Sequence, residues 1–305
     1  MPRIDAGDGT RADQGPVRRE RVEVLGHRGA SAVHPENTPA AFERAVLDGA
    51  HGVELDTHLS ADGVPVVRHD LVLDVPGRGP CATRDLTAAE LARLGVPTLR
   101  ESLEAIREAG RAAGQVAGPD AARGPGRRSG ADDPWVLVEI KSAPDGSVAC
   151  AAPREVVAAV GEVLDDDGPP CVLESFDRAV VAAAADLLPH VPRAVLADAD
   201  STRPGSPFLG PPGGRWSVPD PVAAAVELGA VAVAPRHTWL GADLARRARA
   251  AGLGIWAWTV NTNDDAERAT GLGATVLITD DPAALLDGRG GRPGVHAGAT
   301  GSPSS

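Results

Sequence analysis

The sequence predicts an α/β fold, a (β/α)8 TIM barrel with a small insertion after the second strand. Two observations carry that expectation. Short apolar or β-branched runs alternate along the 305 residues with Ala/Leu/Glu/Arg segments of helical period, which is the pattern of parallel βαβ units. About eight such units occur, the number that closes a barrel and does not leave an open sheet.

The expected strands are Val22–Gly26, Gly52–Asp56, Trp135–Ile140, Cys171–Glu174, Arg193–Leu196, Val231–Ala234, Gly254–Trp258 and Thr275–Ile278. The expected helices are Pro39–Asp48, Glu101–Glu108, Arg154–Leu164, Asp177–Leu188, Pro219–Leu228, Ala242–Ala251, Asp264–Thr270 and Pro282–Leu286. Thr38-Pro39 offers an N-cap followed by proline at the first helical position. Glycines 49, 229, 252 and 271 offer helix stops. One stretch breaks the alternation: in THLSADGVPVVRHD, Asp62-Gly63 sits between two extended runs and reads as a hairpin. The second strand therefore leads into an excursion over one end of the barrel.

The domain expected from these elements spans residues 21–287. Residues 1–20 and 288–305 are polar or Gly/Pro/Ser-rich and are expected to be disordered. The stretch 110–134 is of the same kind and is expected as a flexible loop insertion, because the alternation resumes after it. Charge and cysteine content narrow the functional classes. A formal net charge of -12 with no basic stripe argues against nucleic acid as a partner. Three cysteines without CxxC spacing suit neither a disulfide framework nor a zinc site. No signal peptide and no run of roughly 18 apolar residues is visible, so no stable membrane insertion is expected and a cytoplasmic enzyme is. Oligomeric state is not legible.

Active sites of such barrels gather at the C-terminal strand ends. His27 and Arg28 follow the first strand, Glu54 and Asp56 the second, His69 and Asp70 the hairpin, and Glu139 and Lys141 the third. Ser175, Trp258, Asn261, Thr279 and Asp280 follow later strands. Residues i and i+2 of a strand share a face, so Glu54 and Asp56 point together, as do Glu139 and Lys141. Three carboxylates in one mouth repel one another unless a cation lies between them, and hard oxygen donors suit Mg2+ or Ca2+. His27 and His69 can give and take protons near neutral pH. His58 could share the face of Asp56, whereas His190 and His237 read as surface residues. Arg28 and Lys141 can neutralise phosphate oxygens. Trp258 offers a flat wall at the mouth, with Trp256 in the core. Together these groups suit hydrolysis of a phosphate ester.

The motifs GHRGA with PENT (26–38), GVELDTHLSADGVPVVRHD (52–70), PTL (97–99), VEIK (138–141), SF (175–176), WTVN (258–261) and ITDDP (278–282) occur in one order. Over about Val24–Pro282 the chain resembles the glycerophosphodiester phosphodiesterase family. The resemblance implies a (β/α)8 barrel that hydrolyses a small-molecule glycerophosphodiester to sn-glycerol 3-phosphate and an alcohol, with a cyclic phosphate as intermediate. It implies His27 and His69 as the acid/base pair, with His27 leaning to the base. It further implies Glu54, Asp56 and Glu139 around one divalent cation, Ca2+ or Mg2+, with Arg28 and Lys141 on the phosphate and Trp258 along the cleft. Thr57 stands where the family often has a hydrophobic residue, and residues 71–87 follow its pattern only loosely, so the alcohol released is not legible. A phospholipase-D-like hydrolase of lysophospholipids and a non-catalytic phosphodiester-binding barrel are the alternatives. No lipid-anchoring stretch and no missing site residue favours either.

Overall fold

The computed structural model describes residues 22–121, 134–164, 168–210 and 217–289. The strands in that region are β1 Glu23–His27, β2 Gly52–Leu59, β3 Pro65–Val67, β4 Val72–Val75, β5 Gly79–Ala82, β6 Trp135–Ile140, β7 Cys171–Ser175, β8 Arg193–Ala197, β9 Ala232–Pro235, β10 Gly254–Ala257 and β11 Val276–Thr279. Eight of them form a parallel ring in the order β1-β11-β10-β9-β8-β7-β6-β2, and β2 pairs back with β1. The predicted barrel is therefore closed. The longest register, Gly52↔Trp135 to Thr57↔Ile140, joins β2 to β6.

Inward positions follow the period of two. Leu25, Leu137, Ala194, Leu196, Ala232, Ala234, Trp256, Val276 and Ile278 fill the barrel. Trp135 and Trp256 pack at 5.5 Å in its lower half. Glycine makes room beside both residues: a Cβ on Gly254 would stand 2.9 Å from Trp256 Nε1, and one on Gly52 2.2 Å from the Trp135 carbonyl oxygen. The outward strand faces pack under the helices in two larger clusters. Burying those faces is the main drive for the ring.

Several helix ends form as the sequence predicts. Thr38 caps Pro39–Leu47 by accepting a bond from the Ala41 N–H, and Gly49, Gly229 and Gly252 take left-handed φ beyond helix ends. At the fourth stop the left-handed residue is Gly273, while Gly271 closes the helix itself.

Most boundaries shift by one to three residues, β2 for instance running on to Leu59, and three shifts bear on the domain limits or the site. The helix expected over Glu101–Glu108 spans Leu99–Ala121, so the first part of the 110–134 stretch is helical. Its Ala, Arg and Gln residues are good helix formers, and Gly110 lets the helix pass Pro134, whose Cδ would lie 2.5 Å from a Cβ. Residues 122–133 lie outside the described residues, as do 1–20. The helix Pro282–Arg289 runs past the expected domain end at 287, and the rest of the 288–305 tail is not described. The strand expected to reach Trp258 ends at Ala257, and Trp258 keeps one bridge, to Arg236.

The excursion after β2 begins as the predicted hairpin, with β3 antiparallel to β2 and Gly63 at φ 79 in the turn. It continues into the β4–β5 hairpin and the helix Ala88–Arg93, whose start carries a Thr87–Glu90 capping box. Val66, Leu73, Leu86, Leu91 and Val96 give this excursion its own small core.

Candidate active site

Carrying each inward face one step beyond its strand leads to the mouth of the barrel. A cleft of about 360 Å³ lies there, lined by His27, Arg28, Glu54, His69, Glu139, Lys141 and Trp258 among others. The structure thus brings together seven of the eight residues singled out, and Asp56 lies buried beneath them.

The first strand end is a tight turn. Arg28 has φ 56 and Gly29 has φ 84, and a Cβ on Gly29 would stand 2.5 Å from the Ala41 carbonyl carbon. This turn aims the Arg28 backbone N–H at Glu54 Oε2, 2.9 Å away. Its guanidinium reaches Glu36 at 2.7 Å and Asp56 at 3.2 Å. Asn37, also at positive φ, donates to Asp56 Oδ2 at 2.7 Å and accepts from the Asp56 N–H at 3.2 Å. The Pro-Glu-Asn-Thr-Pro segment therefore both starts a helix and fixes a carboxylate.

Carboxylate oxygens of Glu54, Asp56 and Glu139 lie within 4.8 Å of one another, and all three residues are buried. Lys141 Nζ bridges two of them, 2.8 Å from Asp56 and 2.7 Å from Glu139. Burial would raise the Asp56 carboxyl, but Lys141 and Arg28 outweigh it and hold it far below the usual range. Burial followed by Asp56 and Glu139 pushes Glu54 well up. Burial also raises Glu139, against the pull of Lys141. Three converging carboxylates that share one bridging lysine form a site short of positive charge. Three convergent hard oxygen donors with that deficit fit a divalent cation such as Ca2+ or Mg2+.

Each histidine is held by a carboxylate. His27 Nδ1 lies 2.6 Å from Asp280 Oδ1, and Asp280 also accepts from Asn261 Nδ2 at 2.6 Å and Ser31 Oγ at 3.1 Å. His69 Nδ1 lies 2.8 Å from Asp70 Oδ1. A carboxylate only accepts, so in each neutral ring Nδ1 carries the proton and Nε2 is the free acceptor. His58 is buried outside the cleft lining and bonds the His69 carbonyl through Nε2 at 3.2 Å. Burial lowers its pKa to about 4, so it supports the His69 loop as a neutral ring.

The far wall holds residues without a role in the sequence reading. Phe176 meets Trp258 edge-on at 5.6 Å, and the Arg236 guanidinium lies over the same Trp at 5.1 Å. Asp198 lines this wall, and Glu174 lies deep beside Glu139. Burial and Glu139 hold the Glu174 carboxyl well above its ordinary range. Ser175 faces away from the cleft and donates to the Ile140 carbonyl oxygen at 2.7 Å.

The glycerophosphoryl diester phosphodiesterase family model matches residues 27–284. A glycerophosphodiester phosphodiesterase of Caldanaerobacter subterraneus subsp. tengcongensis is 27% identical over 278 residues, 87% of this chain and 96% of that protein. Glycerophosphodiester phosphodiesterase 1 of Bos taurus is 39% identical over 100 residues, 28% of this chain and 30% of that protein. The Thermotoga maritima glycerophosphodiester phosphodiesterase superposes with a TM-score of 0.63 at 25% identity, covering 88% of this chain and 98% of that one. An Oleispira antarctica phosphodiesterase, solved in complex with its product sn-glycerol-3-phosphate, shares the fold with a TM-score of 0.66 at 23% identity. That match covers 88% of this chain and 97% of the other.

Proposed function

The chain belongs to the glycerophosphoryl diester phosphodiesterase family and is a phosphoric diester hydrolase, and from that premise we propose that it cleaves glycerophosphodiesters to sn-glycerol 3-phosphate and an alcohol with the help of a divalent cation. The observation that carries this reading is the set of three buried carboxylates, Glu54, Asp56 and Glu139, between two carboxylate-held histidines at one barrel mouth. That a relative of the same fold holds sn-glycerol-3-phosphate supports the product.

Glu54, Asp56 and Glu139 would hold the cation, which when bound would draw negative charge from the phosphoryl oxygens. Lys141 has three donors, and the two carboxylates engage two of them. The third is available to a phosphate oxygen. Arg28 adds its guanidinium from the end of β1, two strands along the ring from β6, and Trp258 forms the apolar wall. His27 takes on Nε2 the proton of the attacking group, the substrate's glycerol hydroxyl next to the phosphate, as the new P–O bond of the cyclic phosphate forms. Asp280 orients the ring and stabilises the imidazolium that results, as a carboxylate does for a catalytic histidine elsewhere. His69, entering as the imidazolium with its Nδ1–H on Asp70, gives its Nε2 proton to the leaving alkoxide as the old P–O bond breaks. A water then opens the cyclic phosphate to sn-glycerol 3-phosphate, its proton passing to His69 while His27 returns its own to the freed glycerol hydroxyl. We assign the base to His27 because Asp280 is shielded and anchored by Asn261 and Ser31, whereas Asp70 is the more exposed, at 64%. The working unit is the barrel from about residue 21 to Arg289, and the substrate is a small molecule. Among the described residues no helix is long and apolar enough to cross a membrane.

The test is release of sn-glycerol 3-phosphate from glycerophosphoglycerol by protein stripped with EDTA, then resupplied with Ca2+ or Mg2+. Release restored by either ion is expected. Equal release with and without EDTA would remove the metal from the account, and lysophospholipid cleavage in preference to the soluble diester would move the substrate class.

A further inference from the structure

Glu174 is a buried acid of the cleft floor to which the proposed chemistry gives no task. It lies on β7 in register with Glu139 of β6, between the inward residues Val172 and Phe176. It is only 2% exposed. Its Oε2 is buried without a hydrogen-bond partner, although the side chain lines the same cleft as Glu139 and Lys141. Buried polar groups are nearly always paired, and an isolated buried carboxylate is among the costliest groups a fold can carry. Lys141 is already held by Asp56 and Glu139.

The floor of the cleft therefore sets four carboxylates, Glu54, Asp56, Glu139 and Glu174, against two cations, Arg28 and Lys141. That excess of negative charge has to be met by protons or by a cation from solution. The oxygens of the first three already converge within 4.8 Å.

We infer that Glu174 is a fourth carboxylate of the cation site, adding its charge beside Glu139 and tightening the hold on the divalent cation that Glu54, Asp56 and Glu139 enclose. The inference rests on the metal reading above. A charge one strand away acts through the low dielectric of the barrel floor and needs no direct contact. Outer groups bonded to metal ligands alter affinity by about 10- to 100-fold, and a buried charge acting across one strand without such a bond should fall at the lower end of that range.

This role separates from a structural one by sign. Removing a buried unpaired acid should leave the metal-free protein as stable or more so, while cation binding weakens. The experiment is calorimetric titration of Ca2+, and separately Mg2+, into the metal-stripped full-length protein, for wild type, Glu174→Gln and Glu174→Leu. Thermal melts with and without the ion accompany it. A Kd weakened about tenfold, a metal-free Tm at or above wild type and a smaller rise in Tm on adding the ion are expected. An unchanged Kd in the folded variants overturns the inference and leaves the three-carboxylate site standing. A metal-free Tm well below wild type in Glu174→Gln would make Glu174 a structural partner and overturns it equally. A wild type that binds neither ion removes the metal reading itself, and the inference with it.

Discussion

His27 Nδ1 stands 2.6 Å from Asp280 Oδ1, a contact that ties the first barrel strand to the residue after the last. Asp280→Asn can present an amide nitrogen to the ring and lose the tautomer that leaves Nε2 free. Turnover should fall on the order of 100-fold or more, with KM changed little. Steady-state kinetics check it. Burial would raise the Asp280 carboxyl, but hydrogen bonds from His27 and Asn261 hold it below its ordinary value. The stabilisation it contributes is thus present above the ordinary carboxyl pKa and lost as pH falls through the lower folded value. Urea midpoints of wild type and Asp280→Asn should converge in strong acid.

Lys141 is the counter-charge of two buried carboxylates, and burial, which would lower its pKa, is outweighed by Glu139 and Asp56. Lys141→Met leaves those acids without it. Breaking a buried pair in this way costs about 3–5 kcal/mol, read by urea denaturation of metal-free protein. Saturating Ca2+ should return part of the loss. A variant as stable as wild type without metal would contradict the electrostatics of the site.

Gly29 and Gly63 have similar φ, 84 and 79, but different surroundings. Nothing lies within 4 Å of a Cβ on Gly63, so Gly63→Ala should cost only the backbone strain, roughly 1–2 kcal/mol. Gly29→Ala adds a clash with the backbone of Ala41 and displaces Arg28. It should lose more stability than Gly63→Ala and most of the activity, by melting curves and turnover measured side by side.

Arg236 lies over Trp258 at 5.1 Å. A quaternary ammonium brought to that ring would meet a cation already on it. Arg236→Gln should therefore lower KM for glycerophosphocholine several-fold relative to glycerophosphoglycerol. An equal change for both substrates would mean that Arg236 serves their shared glycerol phosphate.

The barrel is legible in the sequence because its parallel strands carry compact apolar runs and the segments between them have helical period, with a clear start at Thr38-Pro39. The acids of β2 and β6 are legible because period-two spacing puts Glu54 with Asp56 and Glu139 with Lys141. The His27–Asp280 pairing is not, since 253 residues separate them and only the pairing of β1 with β11 joins them. Glu174 and Arg236 could have been found by carrying the inward alternation of Val172 and Ala234 two positions further. The β4–β5 hairpin has no such signal: VPGRGPCA is short of β-branched residues, and its pairing depends on the small core beneath it.

The most direct measurement is phosphorus NMR of glycerophosphoglycerol incubated with metal-restored wild type, His27→Ala and His69→Ala. The account predicts an sn-glycerol 3-phosphate signal with wild type, and rates lowered by about 100- to 10,000-fold in each folded variant. Wild-type rates in either variant would contradict the role given to that histidine, and no product from wild type under either ion would contradict the proposed activity.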